Sequence, residues 1–177
     1  MIYFVRHGLS EANVKGVFAG QKDDSALVDK GIEQAQQAGE KIAQLNLNIQ
    51  RIVSSTLKRA EQTAKEIADI IGFEKNKIIY DDRITEYDMG ILTGTPHHEV
   101  DSLGLISAQG AENPNIFRDR IIACVKEYKD KTGNTLFVSH GGVGRMLETI
   151  KQGKNPELFY DTPIWPNASV TLIDWVK

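Results

Sequence analysis

A single cysteine, Cys124, stands in 177 residues, so no internal disulfide can close and the stapled scaffold of an oxidising compartment is excluded. A cytoplasmic location is the expectation. Basic residues are not in excess: 21 Lys and Arg against 24 Asp and Glu leave a net charge of −3. That balance provides no general surface for neutralising a phosphate backbone, so no nucleic-acid partner is expected, and any basic residues that matter have to be clustered. Long apolar runs are missing too. None approaches the roughly 20 residues that span a bilayer, so no membrane partner is expected, and the first motif begins too close to Met1 to leave room there for a signal peptide. Repeats, low-complexity stretches and long linkers are also lacking. With 41% hydrophobic and 25% charged residues, the chain reads as one globular domain over residues 1–177.

Histidine is scarce, four in all. His97 and His98 are adjacent rather than spaced i, i+4, so they read as solvated side chains and no metal site or cofactor is expected. Cys124, in Ile-Ile-Ala-Cys-Val-Lys, reads as a small hydrophobe packed in a helix.

What is present is organised around residues 2–13. An apolar run rich in β-formers starts at Ile2 and stops against Arg6-His7-Gly8, which reads as a buried strand delivering polar side chains to its carboxyl end, where open α/β sheets bind ligands. Arg6 offers a planar fork suited to phosphate oxygens, and His7 a ring nitrogen able to attack phosphorus. Gly8 allows a tight turn beside a ligand, and Ser10 and Asn13 add neutral donors. Residues 16–28 read as a loop. After it, Asp29 caps a helix whose apolar face runs through Ile32, Ala35, Ala38, Ile42 and Leu45.

A second strand at 51–55 leads into a helix that Ser55 or Thr56 would cap, with Arg59 in its first turn, where the dipole and a guanidinium can act together on an anion. Ile78-Ile79-Tyr80 is a third strand. Glu86, followed by Gly90 and Gly94, is a candidate general acid, since a carboxyl group near a phosphate dianion disfavours its own ionisation; Asp88 competes for that role. Residues 110–113 open a helix through Phe117, Ile121 and Val125, for which Glu112 is a candidate cap, and Arg118 and Arg120 read as solvated. The fourth strand, 134–139, ends in His140-Gly141-Gly142, a second His-Gly at a strand end. A dinucleotide fingerprint is the rival there, but its third glycine is missing. Residues 169–176 form a half-exposed edge strand, an edge that a homodimer would pair.

Five of these stretches, in order, resemble the histidine phosphatase superfamily, also called phosphoglycerate mutase-like proteins. They are Arg-His-Gly-x-Ser-x-x-Asn from Arg6, Phe18-Ala19-Gly20 with Asp24-x-x-Leu27, Ser-x-Leu-x-Arg-Ala-x-Gln-Thr from Ser55, Glu86 with its glycines, and Ser139-His140-Gly141-Gly142. Asn167-Ala-Ser-Val resembles the family's last strand. Leu9 departs from a position that is often polar, and 110–113 is looser than the family's Gly-Glu-Ser, which leaves the role of Glu112 open.

The resemblance implies a three-layer α/β/α sandwich with a mostly parallel sheet. It also implies a metal-independent phosphomonoester hydrolase acting on a small phosphorylated metabolite through a phosphohistidine. His7 would be the nucleophile and Glu86 the proton donor, with Arg6, Arg59, His140, Asn13 and the Gly141 N–H on the phosphoryl oxygens and Ser10 and Gly20 beside them. Alternatives are a mutase, a phosphohistidine protein phosphatase and a phosphate-binding protein without turnover. Hydrolysis is expected over mutation because residues 87–112 contain no Lys or Arg to clamp a substrate carboxylate.

Overall fold

The computed structural model describes residues 1–173 and 175. Strand β1 (Ile2–Arg6) leads into a short helix α1 (Glu11–Lys15), a loop and then helix α2 (Asp29–Gln44). Strand β2 (Ile49–Ser54), helix α3 (Lys58–Ile71) and the two-residue strand β3 (Ile79–Tyr80) follow. A long irregular stretch with short 3-10 turns carries α4 (Ser102–Ser107). Helix α5 (Pro114–Lys129), strand β4 (Asn134–Ser139), helix α6 (Gly141–Lys151) and strand β5 (Val170–Leu172) complete the order.

The sheet order is β3-β2-β4-β1-β5, parallel except for β5, which runs antiparallel to β1 at the edge. Alternation along the strands divides the core in two. Tyr3, Val5, Ile52, Leu136 and Val138 face α2 and α3, packing on Ala38, Ile42, Ala60, Ala64 and Ile67. Ile2, Phe4, Val53 and Phe137 face the opposite way, onto Ile121 and Val125 of α5 and Val143, Met146 and Leu147 of α6. The result is the expected three-layer sandwich, with each fully buried aliphatic or aromatic side chain contributing about 1.5–3 kcal/mol.

Because β4 lies between β1 and β2, three strand ends converge. Arg6 is in register with Ser139, and Ser54 with Val138, so the segments that follow β1, β2 and β4 all emerge on the same edge.

Local capping departs from expectation. Val28, not Asp29, is the cap residue of α2, and no side chain bonds the free N–H groups; Asp29 sits inside the first turn, where its charge meets the helix dipole. Leu57 caps α3 without a side-chain bond, while the Ser55 hydroxyl accepts the Leu57 N–H at 3.2 Å. Asn113 caps α5 through Asn115 N–H, which removes the capping role from Glu112. The edge strand is shorter than the pattern suggested, and its expected continuation over Asp174 and Val176 lies outside the described residues.

Candidate active site

His7 follows β1 directly and is 3% exposed. Its Nδ1 lies 2.7 Å from the Gly8 carbonyl oxygen, which can only accept, so Nδ1 carries the proton and Nε2 keeps the lone pair. Three anchors hold this strand end. The Gly8 N–H donates to Thr63 Oγ1 at 3.0 Å, Asn167 Nδ2 donates to the His7 carbonyl at 2.9 Å, and the Ala168 N–H donates to the Arg6 carbonyl at 2.9 Å. Ala168 has φ 55, a left-handed conformation costing roughly 1 kcal/mol in a residue with a Cβ, and it turns Asn167 back onto β1. Gly8 has no room for a side chain, since a Cβ there would lie 2.2 Å from the Gly31 carbonyl oxygen.

Arg6 donates from Nη1 to the Trp165 carbonyl at 2.9 Å, and its Nε is buried without a partner among the described residues. Burial lowers it to about 10, leaving it cationic at neutral pH. Arg59, buried in the first turn of α3, donates to the carbonyls of Gly20 at 2.8 Å and Asp23 at 2.9 Å, so it also pins the loop across from it. Burial first, then the positive charges of Arg59 and Arg6, push His7 well below the ordinary histidine range, with the Gly8 carbonyl opposing.

His140 precedes α6 and is fully buried behind His7, with ring centroids 5.2 Å apart. Its Nε2 lies 2.7 Å from Ser55 Oγ, while Nδ1 is buried with no partner among the described residues. Burial, then Arg59 and His7, lower its pKa well below the ordinary value too. Each Glu86 oxygen accepts a backbone N–H: Oε1 from Tyr87 at 2.8 Å and Oε2 from Gly142 at 3.0 Å. Gly142 has to be glycine, since a Cβ there would lie 2.1 Å from Glu86 Oε1.

A cavity of about 440 Å³, a size suited to a small metabolite, is lined by Arg6, His7, Asn13, Gly20, Arg59, Glu86 and Gly141, whereas His140 lies beneath the wall, against the His7 ring. Ser10 is not on its wall. It is buried as the cap of α1, where its hydroxyl accepts the Asn13 N–H at 3.4 Å. Asp88 is absent from the wall as well, being engaged by the Gly90 N–H at 2.9 Å and by Lys22 at 3.5 Å.

Four residues read otherwise from sequence take part. Arg120 is not solvated: it pairs with Glu112 at 2.7 and 2.9 Å and donates to the carbonyls of Arg83, Thr85 and Glu86, clamping the Glu86 turn. Glu112 is thereby the partner of Arg120 and not a group on the cavity wall. His97 is exposed, as read, yet its ring also borders the cavity, edge-on to Phe18 with centroids 4.7 Å apart, because residues 95–97 are bonded back onto 16–18. Arg145 of α6 lines it too, although nothing in the sequence reading singled it out. Its sequence signal is the one Arg59 carries, a guanidinium in the helix after a strand end.

Asn167 sets the polarity of Asn13. The Ser10 N–H donates to Asn13 Oδ1 at 3.2 Å, and Asn167 Nδ2, its orientation fixed by the His7 carbonyl, donates to the same oxygen at 3.3 Å. The Asn13 amide oxygen is therefore occupied by donors, and its NH2 group is left as the free end of a cavity-lining side chain.

The chain matches known proteins along most of its length. The chain is 30% identical over 99% of its length, and 80% of the relative's, to a broad-specificity phosphatase of Saccharomyces cerevisiae. It is 33% identical over 84% of its length, and 74% of the relative's, to a probable phosphoglycerate mutase of Salmonella choleraesuis. Among solved structures, a mycobacterial glucosyl-3-phosphoglycerate phosphatase superposes with a TM-score of 0.80 over 96% of this chain and 90% of that one, at 24% identity. A family model matches residues 2–177, and the chain belongs to the histidine phosphatase superfamily, branch 1.

Proposed function

We propose that the protein is a phosphomonoester hydrolase that works through a phosphohistidine on His7, acting on a small phosphorylated metabolite in the cytoplasm. The observation that carries the reading is the His7 tautomer: Nδ1–H is committed to the Gly8 carbonyl, so Nε2 is an unprotonated nucleophile in a cavity flanked by Arg6 and Arg59. A ring kept neutral by burial needs no deprotonation before attack.

In the first step Nε2 attacks phosphorus as the bond to the leaving oxygen breaks, and Glu86 gives that oxygen its proton. Arg6, Arg59, the Asn13 NH2, the Gly141 N–H and His140 Nδ1 supply donors for the three equatorial oxygens, whose shared negative charge is the main thing to stabilise. For His140 to donate from Nδ1, the Ser55 hydroxyl gives its hydrogen to Nε2 while accepting from Leu57 N–H, a pattern its geometry allows. In the second step water, losing its proton to the same Glu86 carboxylate, takes the phosphoryl group and frees His7. Asp88 is not needed as an acid, being engaged elsewhere.

The reading as a hydrolase is favoured by the match to a phosphatase over nearly the whole chain. The mutase-type relative supports a second reading, in which a hydroxyl rather than water receives the phosphoryl group. Turnover of p-nitrophenyl phosphate in the presence of EDTA separates an enzyme from a phosphate-binding protein. Incubation with 3-phosphoglycerate and a trace of 2,3-bisphosphoglycerate then decides the acceptor: inorganic phosphate as main product supports hydrolysis, and equilibration to 2-phosphoglycerate with little phosphate released overturns it.

A further inference from the structure

Residues 85–88, which carry Glu86, belong to no helix or strand. With no ladder to hold it, the main chain around Glu86 has its carbonyls taken by side chains from other segments. Ser139 Oγ donates to the Ile84 carbonyl at 2.6 Å and Gln21 Nε2 to that of Glu86 at 2.9 Å. Arg120 of α5 donates to the carbonyls of Arg83, Thr85 and Glu86 at 2.8, 2.9 and 2.9 Å.

Every donor of Arg120 is in use. Nε and one Nη2 hydrogen go to the two Glu112 carboxylate oxygens at 2.7 and 2.9 Å, the second Nη2 hydrogen to the Glu86 carbonyl, and both Nη1 hydrogens to the Arg83 and Thr85 carbonyls. The guanidinium carbon lies 4.7 Å from the ring centroid of Phe117, one turn back in α5, which sets its plane. Glu112 grips the same stretch through its own main chain: its N–H donates to the Asp88 carbonyl at 3.0 Å, and its carbonyl accepts the Tyr87 hydroxyl. Because the pair is neutral as a whole, it holds the turn without adding a net charge beside Glu86.

Neither residue lines the catalytic cavity; both border a second, open pocket together with Gln21, Thr56 and Asp82. Arg120 therefore bears on the reacting atoms only through Glu86, whose backbone it fixes while the Tyr87 and Gly142 N–H groups fix the carboxylate. A misplacement of roughly 1 Å in a group that transfers a proton is enough to lower a rate about 10²-fold.

We propose that Arg120, with Glu112 as its counter-charge, is a positioning residue for the Glu86 carboxyl, acting on proton transfer to the leaving oxygen and not on phosphate binding. The inference rests on the phosphomonoesterase reading above, with Glu86 as the acid, and adds the group that aims it.

The test compares Arg120→Ala with wild type and Glu86→Gln on an alkyl ester, glycerol 3-phosphate, and on p-nitrophenyl phosphate, whose leaving group needs no proton. For Arg120→Ala, kcat/KM on glycerol 3-phosphate should fall by about 10- to 100-fold, that on p-nitrophenyl phosphate by clearly less, and the inhibition constant of inorganic phosphate should hardly move. Adding Arg120→Ala to Glu86→Gln should cost little more on the alkyl ester than Glu86→Gln alone. Because Arg120 borders an open pocket, guanidinium ion at millimolar concentration should enter the Arg120→Ala protein and restore part of the ratio between the two esters. Equal losses on both esters, a loss that adds in full to that of Glu86→Gln, or a large rise in the phosphate inhibition constant would show that Arg120 only supports the fold, and would overturn the proposal. Where Arg120→Ala does not fold, Arg120→Lys carries the same comparison, since it keeps the charge and loses the five-donor fork. Equal losses on the two esters in Glu86→Gln itself would instead refute the acid assignment on which the proposal stands, and a wild type that hydrolyses neither ester would refute the hydrolase reading.

Discussion

Two His-Gly pairs close two neighbouring parallel strands, yet the rings are wired in opposite senses. His7 gives Nδ1 to its own backbone and keeps Nε2 free at the cavity; His140 engages Ser55 through Nε2 and keeps Nδ1 free, fully buried behind it. The same His-Gly dipeptide therefore yields two different groups, one that can attack and one that can donate. What differs is the third partner. Gly8 O lies next to His7 in the chain, whereas Ser55 reaches His140 from the end of β2 across 85 residues.

The sharpest break in this comparison comes from removing each ring. His7→Ala should abolish turnover by at least roughly 10³-fold, because no other group replaces the nucleophile. His140→Ala should lose less and still place labelled phosphate on His7 in rapid-quench experiments. Equal residual rates in the two variants, or label on any other residue, would erase the distinction.

Next in size is Glu86→Gln, which removes the transferable proton and leaves one acceptor oxygen where two now serve the Tyr87 and Gly142 N–H groups. Alkyl phosphates should slow by about 10²-fold and p-nitrophenyl phosphate by clearly less, since its leaving group needs no proton. Equal losses on both esters would reassign the acid.

The supports come third. Ser55→Ala and Asn167→Ala should each cost about tenfold in kcat/KM, since each only positions a group that acts. Asn167→Ala made in an Asn13→Ala background should cost much less than it does alone, provided it works by orienting the Asn13 amide. Additive losses in that cycle would reduce Asn167 to a strand anchor.

The smallest effect is on stability. Both rings titrate well below the ordinary histidine value when folded, so below about pH 6.5 the unfolded chain takes up protons that the native one does not. Stability is full above that pH and falls as the medium is acidified towards the folded values, by up to about 1.4 kcal/mol per pH unit for each ring. Urea melts at pH 7.5 and 5.5 should show a smaller loss in His140→Gln than in wild type. A loss of the same size would place the acid sensitivity elsewhere.

Much of this site was legible in the chain because its parts are local. A buried strand that stops at Arg6-His7-Gly8, a second that stops at Ser139-His140-Gly141, and a guanidinium at the start of a helix can each be read from a dozen residues. Arg120, His97 and Arg145 were not legible, for one shared reason. Each acts through main-chain carbonyls or packing partners contributed by other segments: Arg120 through residues 83–86, His97 through residues 16–18, Arg145 through residues 160–162. Ser10 failed in the opposite direction, because a helix cap claimed a hydroxyl that composition offered to the ligand.

The sequence by itself determined the alternation of strands and helices, the placing of the candidate site at the strand ends and His7 as its candidate nucleophile, since hydrophobic periodicity and strand-end chemistry are properties of contiguous residues. Tertiary structure alone decided which nitrogen of each histidine is free, which way the Asn13 amide faces and that a third arginine enters the cavity. Those outcomes depend on which backbone carbonyls and hydroxyls lie opposite. That is fixed by insertion of β4 between β1 and β2 and by the return of residues 160–168 over the end of β1.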